Sequence, residues 1–279
     1  MRAWLVAATA ALLTASAGLT ADQPADWSRP IPPFQIIGNV YYVGTEGLAA
    51  YLVAGPEGHV LIDGALPSSP PLIVRNIARL GFRPGDVKVL LINHAHFDHA
   101  GGLAGLKRLT GARLAASAGD KASLEAGRTL GRPELDSFPP VKVDRVIADG
   151  DEVRLGPLRL AAILTPGHTP GAVTWATMAS QRRVIFASSL TVAGQPIAGS
   201  PAADKAAADF RRTFDALRGT RADVFLNFHP ESFDLKAKRA RQQAGQAEAF
   251  VDPTELRRQV DAAERAFDAE WARQSAPPS

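Results

Sequence analysis

The chain contains no cysteine among its 279 residues. That excludes disulfides, thiolate metal ligands and cysteine nucleophiles together, so stability must rest on the apolar core. The short motifs of serine chemistry are missing too: neither Ser-x-x-Lys nor Gly-x-Ser-x-Gly occurs anywhere. Nucleophilic-serine hydrolases are thereby excluded at motif level. Aromatic residues are few, and none interleaves the densest basic run, Lys236–Arg241. That run is expected to form a solvated helical face rather than a nucleic-acid surface. Formal net charge is +3, or +2 without the first 21 residues, where Arg2 is the only charged group. So small an excess steers little.

What is present begins with a targeting pattern. Met1-Arg2 is a short basic start, Trp4–Leu13 is apolar, and the triplets Ala15-Ser16-Ala17 and Leu19-Thr20-Ala21 are candidate cleavage sites. Residues 1–21 are therefore expected to be a cleaved secretory signal peptide, with an uncleaved anchor as the alternative. The apolar run is too short and too alanine-rich for a membrane span, so no stable membrane anchor is expected after cleavage. Residues 22–33 are Pro-rich and polar, an extended lead-in. Residues 34–279 are expected to form the folded domain, with a composition, 46% hydrophobic and 21% charged, that is ordinary for a soluble globular protein.

Five of the six histidines fall into one chemical pattern. His94-Ala95-His96-Phe97-Asp98-His99 packs three imidazoles and a carboxylate into six residues, and His168 and His229 follow downstream. One zinc takes three or four such ligands, so five His and one Asp suffice for two. The apolar run Val87–Ile92 reads as a buried strand leading into the motif. Histidines two apart on an extended segment point the same way, so His94 and His96 can share one metal. A turn into helix then aims Asp98 and His99 at a second. The sixth histidine, His59, follows a turn and is read as structural.

Strand-like runs lie at Val40–Val43, Ala50–Ala54 and Val60–Asp63, then a helix at Pro70–Leu80. After the motif come a helix at Leu103–Leu109, a strand at Arg113–Ala116 and a helix at Ala118–Gly127 with Ser117 as N-cap. The second half repeats the theme. Glu152–Leu155, Leu158–Leu164, Val173–Met178 and Val184–Ala187 read as strands, Asp204–Leu217 as a helix, Val224–Phe228 as a strand and Thr254–Trp271 as an amphipathic helix. This order predicts an α/β fold of αββα type, two sheets face to face with helices outside. All five candidate histidines follow predicted strands, where loops on a rigid scaffold carry function.

In this order the motifs resemble the metallo-β-lactamase superfamily, over about residues 30 to 235. Leu61-Ile62-Asp63-Gly64 resembles the strand end that supplies a buried aspartate. His94-x-His96-x-Asp98-His99 is the signature. Thr165–Gly171 and Asn227–Pro230 resemble the loops carrying the later histidines. The thioesterases and many lactonases of the superfamily carry a metal-bridging aspartate after the strand equivalent to Val184–Ala187. Here the chain reads Ser188-Ser189-Leu190-Thr191, with no carboxylate before Asp204. The first two class B subclasses of true β-lactamases place a cysteine there. The complete ligand set without cysteine is similar to the third. Tyr41–Thr45, Gly58–Gly64 and Leu80–Val87 resemble that subclass as well, whereas Ser188 departs from the aspartate usual there.

The resemblance implies that His94, His96 and His168 hold one zinc and Asp98, His99 and His229 a second, with a hydroxide shared between them as nucleophile. Asp98 would orient the hydroxide and handle its proton. Asp63 would orient a ligand histidine, and Ser189 and Thr191 would bind the carboxylate of a β-lactam substrate. The implied protein is a periplasmic, monomeric zinc β-lactamase acting on penicillins, cephalosporins and carbapenems, with no nucleic-acid partner. A lactone or thioester hydrolase of the same scaffold and a non-enzymatic zinc-binding protein are the alternatives. Loops Gly127–Pro140 and Val192–Pro201 are expected to wall the site, with Leu135, Phe138 and Ile197 as apolar candidates.

Overall fold

The computed structural model describes residues 23–276; the expected signal peptide lies outside them. One sheet has seven strands in chain order: β1 (Phe34–Ile37), β2 (Val40–Tyr42), β3 (Tyr51–Val53), β4 (His59–Ile62), β5 (Val87–Leu91), β6 (Arg113–Ser117) and β7 (Arg145–Ile147). β1 to β4 form an antiparallel meander, and β4 to β7 run parallel. Parallel neighbours need crossovers. Helices α1 (Pro70–Arg79), α2 (Phe97–Ala100), α3 (Leu103–Thr110) and α4 (Ala118–Ala126) lie within those connections. The second sheet is built from β8 (Glu152–Leu155), β9 (Leu158–Leu164), β10 (Val173–Ala179), β11 (Arg182–Ala187) and β12 (Val224–Asn227). Its order is β12-β11-β10-β9-β8, antiparallel except for β11 with β12.

Apolar packing holds the layers in register. Tyr42, Tyr51, Trp175 and Phe186 fill the space between the sheets. The other face of the seven-stranded sheet buries Ile73, Ile77, Leu103, Leu106 and Leu124 of α1, α3 and α4. The five-stranded sheet is closed by α5 (Pro201–Arg218) and α7 (Glu255–Ser275), whose Phe210, Phe214 and Phe267 pack together, Phe267 edge-on to Phe214. This is the expected αββα layering. Trp175 stitches the sheets beside the motif, its indole N–H donating to Ile92 O at 3.0 Å. No helix among the described residues is long and apolar enough to cross a membrane.

Several local features differ from expectation. β1 and β7, of four and three residues, are not among the expected strands. α5 starts at Pro201, three residues before the expected Asp204, because Ser200 caps it by accepting from Ala203 N at 3.2 Å and proline suits the first helical position. Ser117 precedes α4 as expected, but its hydroxyl donates to Gly171 O at 2.5 Å instead of capping. The basic run lies in α6 (Leu235–Gln243) and is not simply solvated. Lys238 is only 5% exposed and its ammonium donates to both carboxylate oxygens of Glu255, at 2.7 and 2.5 Å. Arg239 lies 4.3 Å above the Phe34 ring. His59 is buried in β4, accepting from Gly55 N at 3.3 Å with its ring edge-on to Phe82.

Candidate metal centre

β5 delivers the chain to Asn93 and His94 at the edge where both sheets present loops. The backbone stays extended through His96 (φ −98°, ψ 157°), and α2 starts at Phe97. His94 and His96 therefore face the same way, ring centroids 4.6 Å apart. The turn into α2 sends Asp98 and His99 to a neighbouring position. That turn needs room: a Cβ on Gly102 would lie 2.1 Å from Gly64 O, so only glycine lets α2 fold back on the Asp63-Gly64 corner. There Gly64 N donates to His99 O at 2.9 Å. His168 arrives on the β9–β10 connection, and His229 two residues beyond β12.

These residues form two groups, His94 with His96 and His168, and Asp98 with His99 and His229. Within each group the candidate ligand atoms lie within 4.8 Å of one another. His168 Nε2 is 3.1 Å from His96 Nδ1. His99 Nε2 and His229 Nε2 are 3.2 Å apart, and Asp98 Oδ2 is 3.3 and 3.4 Å from them. The groups abut, since the rings of His94 and His99 are 4.2 Å apart.

The surroundings fix which nitrogen is free in three of the rings. His168 Nδ1 donates to Thr191 O at 2.7 Å, and His99 Nδ1 to Asp63 Oδ2 at 3.0 Å. His94 Nδ1 donates to Asn93 Oδ1. On a neutral ring each of these bonds leaves the opposite nitrogen as a lone pair aimed inward, which is how a metal-binding imidazole is prepared. His94 Nε2 and His96 Nε2 are buried with no hydrogen-bond partner. A buried polar atom left so costs about 1–3 kcal/mol, and for His94 a cation removes that deficit. The donor set, all nitrogen and carboxylate oxygen, suits zinc.

Electrostatics divides the groups. Burial holds His94 well below the ordinary imidazole range, and it lowers His96 to about 2 and His168 to about 4. All three stay neutral, the form that ligates. Burial also opposes charge on His99, but Asp98 and Asp63 outweigh it and raise His99 to about 10. Asp98 is held well below the usual carboxylate range by His99 and His229, against the effect of its own burial. Without metal, a proton on His99 thus balances two carboxylates, and a divalent cation takes that place on binding.

The family model of the metallo-β-lactamase superfamily matches residues 43–229, and these span both ligand groups. The chain belongs to the metallo-β-lactamase superfamily. Among solved superfamily structures it is similar to a metallo-β-lactamase with an HARLDQ motif from Cronobacter sakazakii, at 40% identity, 90% of this chain, 98% of that one and a TM-score of 0.87. BJP-1, a subclass B3 enzyme of Bradyrhizobium japonicum, matches at 40% identity, 90% and 97% coverage and a TM-score of 0.84. FEZ-1 from Legionella gormanii matches at 36% identity, 89% and 98% coverage and a TM-score of 0.85. A curated hydroxyacylglutathione hydrolase from Anaeromyxobacter dehalogenans is 34% identical over 123 residues, 44% of this chain and 39% of that protein. The chain therefore spans about two-fifths of that relative's length.

Around the superfamily's ligand set lies a cavity of about 530 Å³, a volume ordinary for small-molecule sites. Ser189 and Thr191 line it, their hydroxyls 3.0 Å apart. Of the loop residues expected to wall it, Leu135 does, whereas Phe138 and Ile197 are buried in the cores. Arg132, from the loop after α4, lines the wall and donates to Ala193 O across the opening at 2.9 Å. Ser188 sits beneath the site, its hydroxyl 3.4 Å from His94 Nδ1.

Asn93 and Trp27 are among the contributors not read from the sequence. Asn93 joins the groups: its backbone N–H donates to Asp63 Oδ1 at 2.8 Å, its amide donates to Asp63 Oδ2, and its Oδ1 serves His94. Asp63 therefore orients His99 directly and His94 through Asn93. Trp27 is the second. It ends a 3₁₀ turn, Ala25–Trp27, in the lead-in, and its ring lies 5.8 Å from His229 and 6.1 Å from Phe97. The turn is pinned by Gly47 N donating to Asp26 O at 2.9 Å. A tryptophan before the first strand carries no period or motif, and Asn93, though it adjoins the histidine motif, is not itself a zinc-ligand residue type.

Proposed function

We propose that this chain is an exported di-zinc hydrolase that opens the β-lactam ring of penicillins, cephalosporins and carbapenems. The observation that carries this reading is the strand end after β11. The superfamily's thioesterases and many of its lactonases have a metal-bridging aspartate there; this chain has the non-carboxylate Ser189, on the cavity wall. Likeness over nearly the full length of two subclass B3 enzymes supports the same choice. The hydroxyacylglutathione hydrolase match, covering 39% of that protein, supports the second reading, a thioester or lactone hydrolase.

Zinc, when bound, polarises a carbonyl oxygen and brings the pKa of a coordinated water from 15.7 to about 7. His94, His96 and His168 would hold one ion, and Asp98, His99 and His229 the other. The chain's residues supply the rest. Asp98 lines the cavity beside both groups. Its carboxylate takes the proton of the attacking water and returns it to the amide nitrogen as the C–N bond breaks. Ser189 and Thr191 offer paired hydroxyls to the substrate carboxylate. Trp27, Phe97 and Leu135 give the apolar walls that exclude water from the ring system. Asp63 holds His99 in the tautomer that leaves Nε2 free.

The deciding experiment compares nitrocefin and a carbapenem with a lactone and a thioester, on purified protein with and without chelator. Hydrolysis of the first pair, abolished by EDTA, restored by zinc and indifferent to clavulanate, is expected. Zinc-loaded, folded protein that leaves both β-lactams intact and cleaves the thioester or lactone establishes the second reading instead. Export is tested in a susceptible bacterium. The full chain should raise carbapenem resistance, and deletion of residues 1–21 should abolish the gain.

A further inference from the structure

We infer that Asp120 is a positioning residue for the first metal group, one carboxylate that sets the spacing between the His94–His96 segment and the His168 loop. It rests on the two-metal reading of the site and is independent of which substrate is cleaved. Asp120 is 2% exposed, in the first turn of α4, and does not line the cavity. Its Oδ2 accepts from Ala95 N and from Thr169 Oγ1, both at 2.8 Å, and its Oδ1 accepts from Gly171 N at 3.0 Å. Ala95 stands between the two ligands His94 and His96. Thr169 directly follows the third, His168. Segments 72 residues apart in sequence are thus tied through a single side chain.

The packing around this tie leaves no slack. A Cβ on Gly171 would lie 2.2 Å from Asp120 N and 2.3 Å from Ser117 Oγ, and one on Gly119 would lie 2.5 Å from Pro170 O. The hydroxyl of Ser117 holds the same loop from the other side, through Gly171 O. The first turn of α4 is therefore a fixed surface against which both ligand segments are set. Metal sites tolerate about 0.2 Å in ligand distance. A shift of the His168 loop away from the motif would open the 3.1 Å approach of His168 Nε2 to His96 Nδ1.

The site requires a carboxylate and not an amide. Three donors converge on two oxygens. An asparagine, whichever way it is turned, sets its own NH₂ against the N–H of either Ala95 or Gly171. One buried donor then loses its acceptor, and the two segments lose their common reference.

The test uses the full chain with Asp120→Asn, stripped of metal and titrated with zinc against a chromophoric chelator, then with cobalt(II). Of the two metal equivalents, one should weaken about 10- to 100-fold, as removal of a supporting group does, and the other should be unchanged. The cobalt(II) absorption of the weakened site should shift. Melting of the metal-free variant reports the effect on folding separately. Should Asp120→Asn not fold, Thr169→Val and Thr169→Ser decide. Loss of one hydrogen bond in Thr169→Val should weaken the same equivalent about two- to tenfold, and Thr169→Ser, keeping the hydroxyl, should restore it. Wild-type zinc affinity and cobalt spectrum in Asp120→Asn, with only a lowered melting temperature, would overturn the inference, as would equal affinities in the two Thr169 variants. Because metal binding is read directly, failure of the β-lactam reading would leave these outcomes intact.

Discussion

Replacing Asp63 with asparagine is the sharpest test of how the metal centre is built. Asp63 is fully buried and accepts three hydrogen bonds, from Asn93 N at 2.8 Å, from the Asn93 amide, and from His99 Nδ1 at 3.0 Å. An asparagine fits the space but has one acceptor where there were two. Turned either way, it leaves at least one buried N–H without a partner, at about 1–3 kcal/mol. Against a total stability of roughly 5–15 kcal/mol, that lowers the melting temperature of the metal-free protein by about 2–12 °C for a domain of this size. Zinc affinity should fall about 10- to 100-fold. Asp63 serves His99 directly and His94 through Asn93, so both metal equivalents should weaken. Differential scanning fluorimetry in chelator and zinc competition measure the two effects. Unchanged affinity at both sites would refute the orienting role of Asp63 altogether, and weakening at one alone would refute the role of Asn93.

Metal analysis after dialysis in zinc buffer should approach two ions per chain, since two complete groups are present; a firm value of one removes the paired-metal chemistry. Asp98→Asn should lose at least about a hundredfold in rate, in line with other metal-supporting groups, and near-normal turnover with both metals bound would dismiss Asp98 as the proton carrier. His99 in the metal-free protein is raised to about 10 by Asp98 and Asp63, which override its burial. Its contribution to stability is then complete below its unfolded value of about 6.5 and is lost as pH rises towards 10. The melting temperature of metal-free protein should fall across that window more than that of metal-free His99→Asn; parallel falls would point to another group. Trp27→Ala removes an aromatic neighbour of His229 and Phe97. An aromatic contact of about 0.5–1.5 kcal/mol translates to a KM raised about two- to tenfold, with kcat little changed, in steady-state assays.

The candidate ligands were legible because four of the six lie within six residues and the others follow strands. Alternation on an extended segment put His94 with His96, and the turn into α2 separated Asp98 and His99. Those are local geometries, set by the backbone within a few residues. The αββα layering was legible for a similar reason: long apolar runs and amphipathic helices announce their own period. β1 and β7 were not, although β2 and β3 are as short and were; their pairing is decided by the neighbouring strand. Lys238 looked solvated in a basic run, yet Glu255 of α7 takes it out of water. Nothing near it in sequence hints at that partner.

The sequence by itself determined the chemistry available to this protein. With no cysteine and no serine-nucleophile motif, and with five histidines and an aspartate in superfamily order, it specified a nitrogen and oxygen metal centre on strand-end loops. Tertiary structure alone decided how that centre is held and walled. Asn93 gains its role because β4 and β5 lie side by side, which brings Asp63 to it. Asp120 gains its role because α4 packs on the His168 loop. Trp27 reaches His229 because Asp26 pairs with Gly47 across the surface, and Leu135, not Phe138 or Ile197, faces the cavity. Polar and aromatic side chains of this kind act through one or two directional contacts with residues remote in sequence. Such contacts leave no periodicity behind, and only the folded chain brings them within reach.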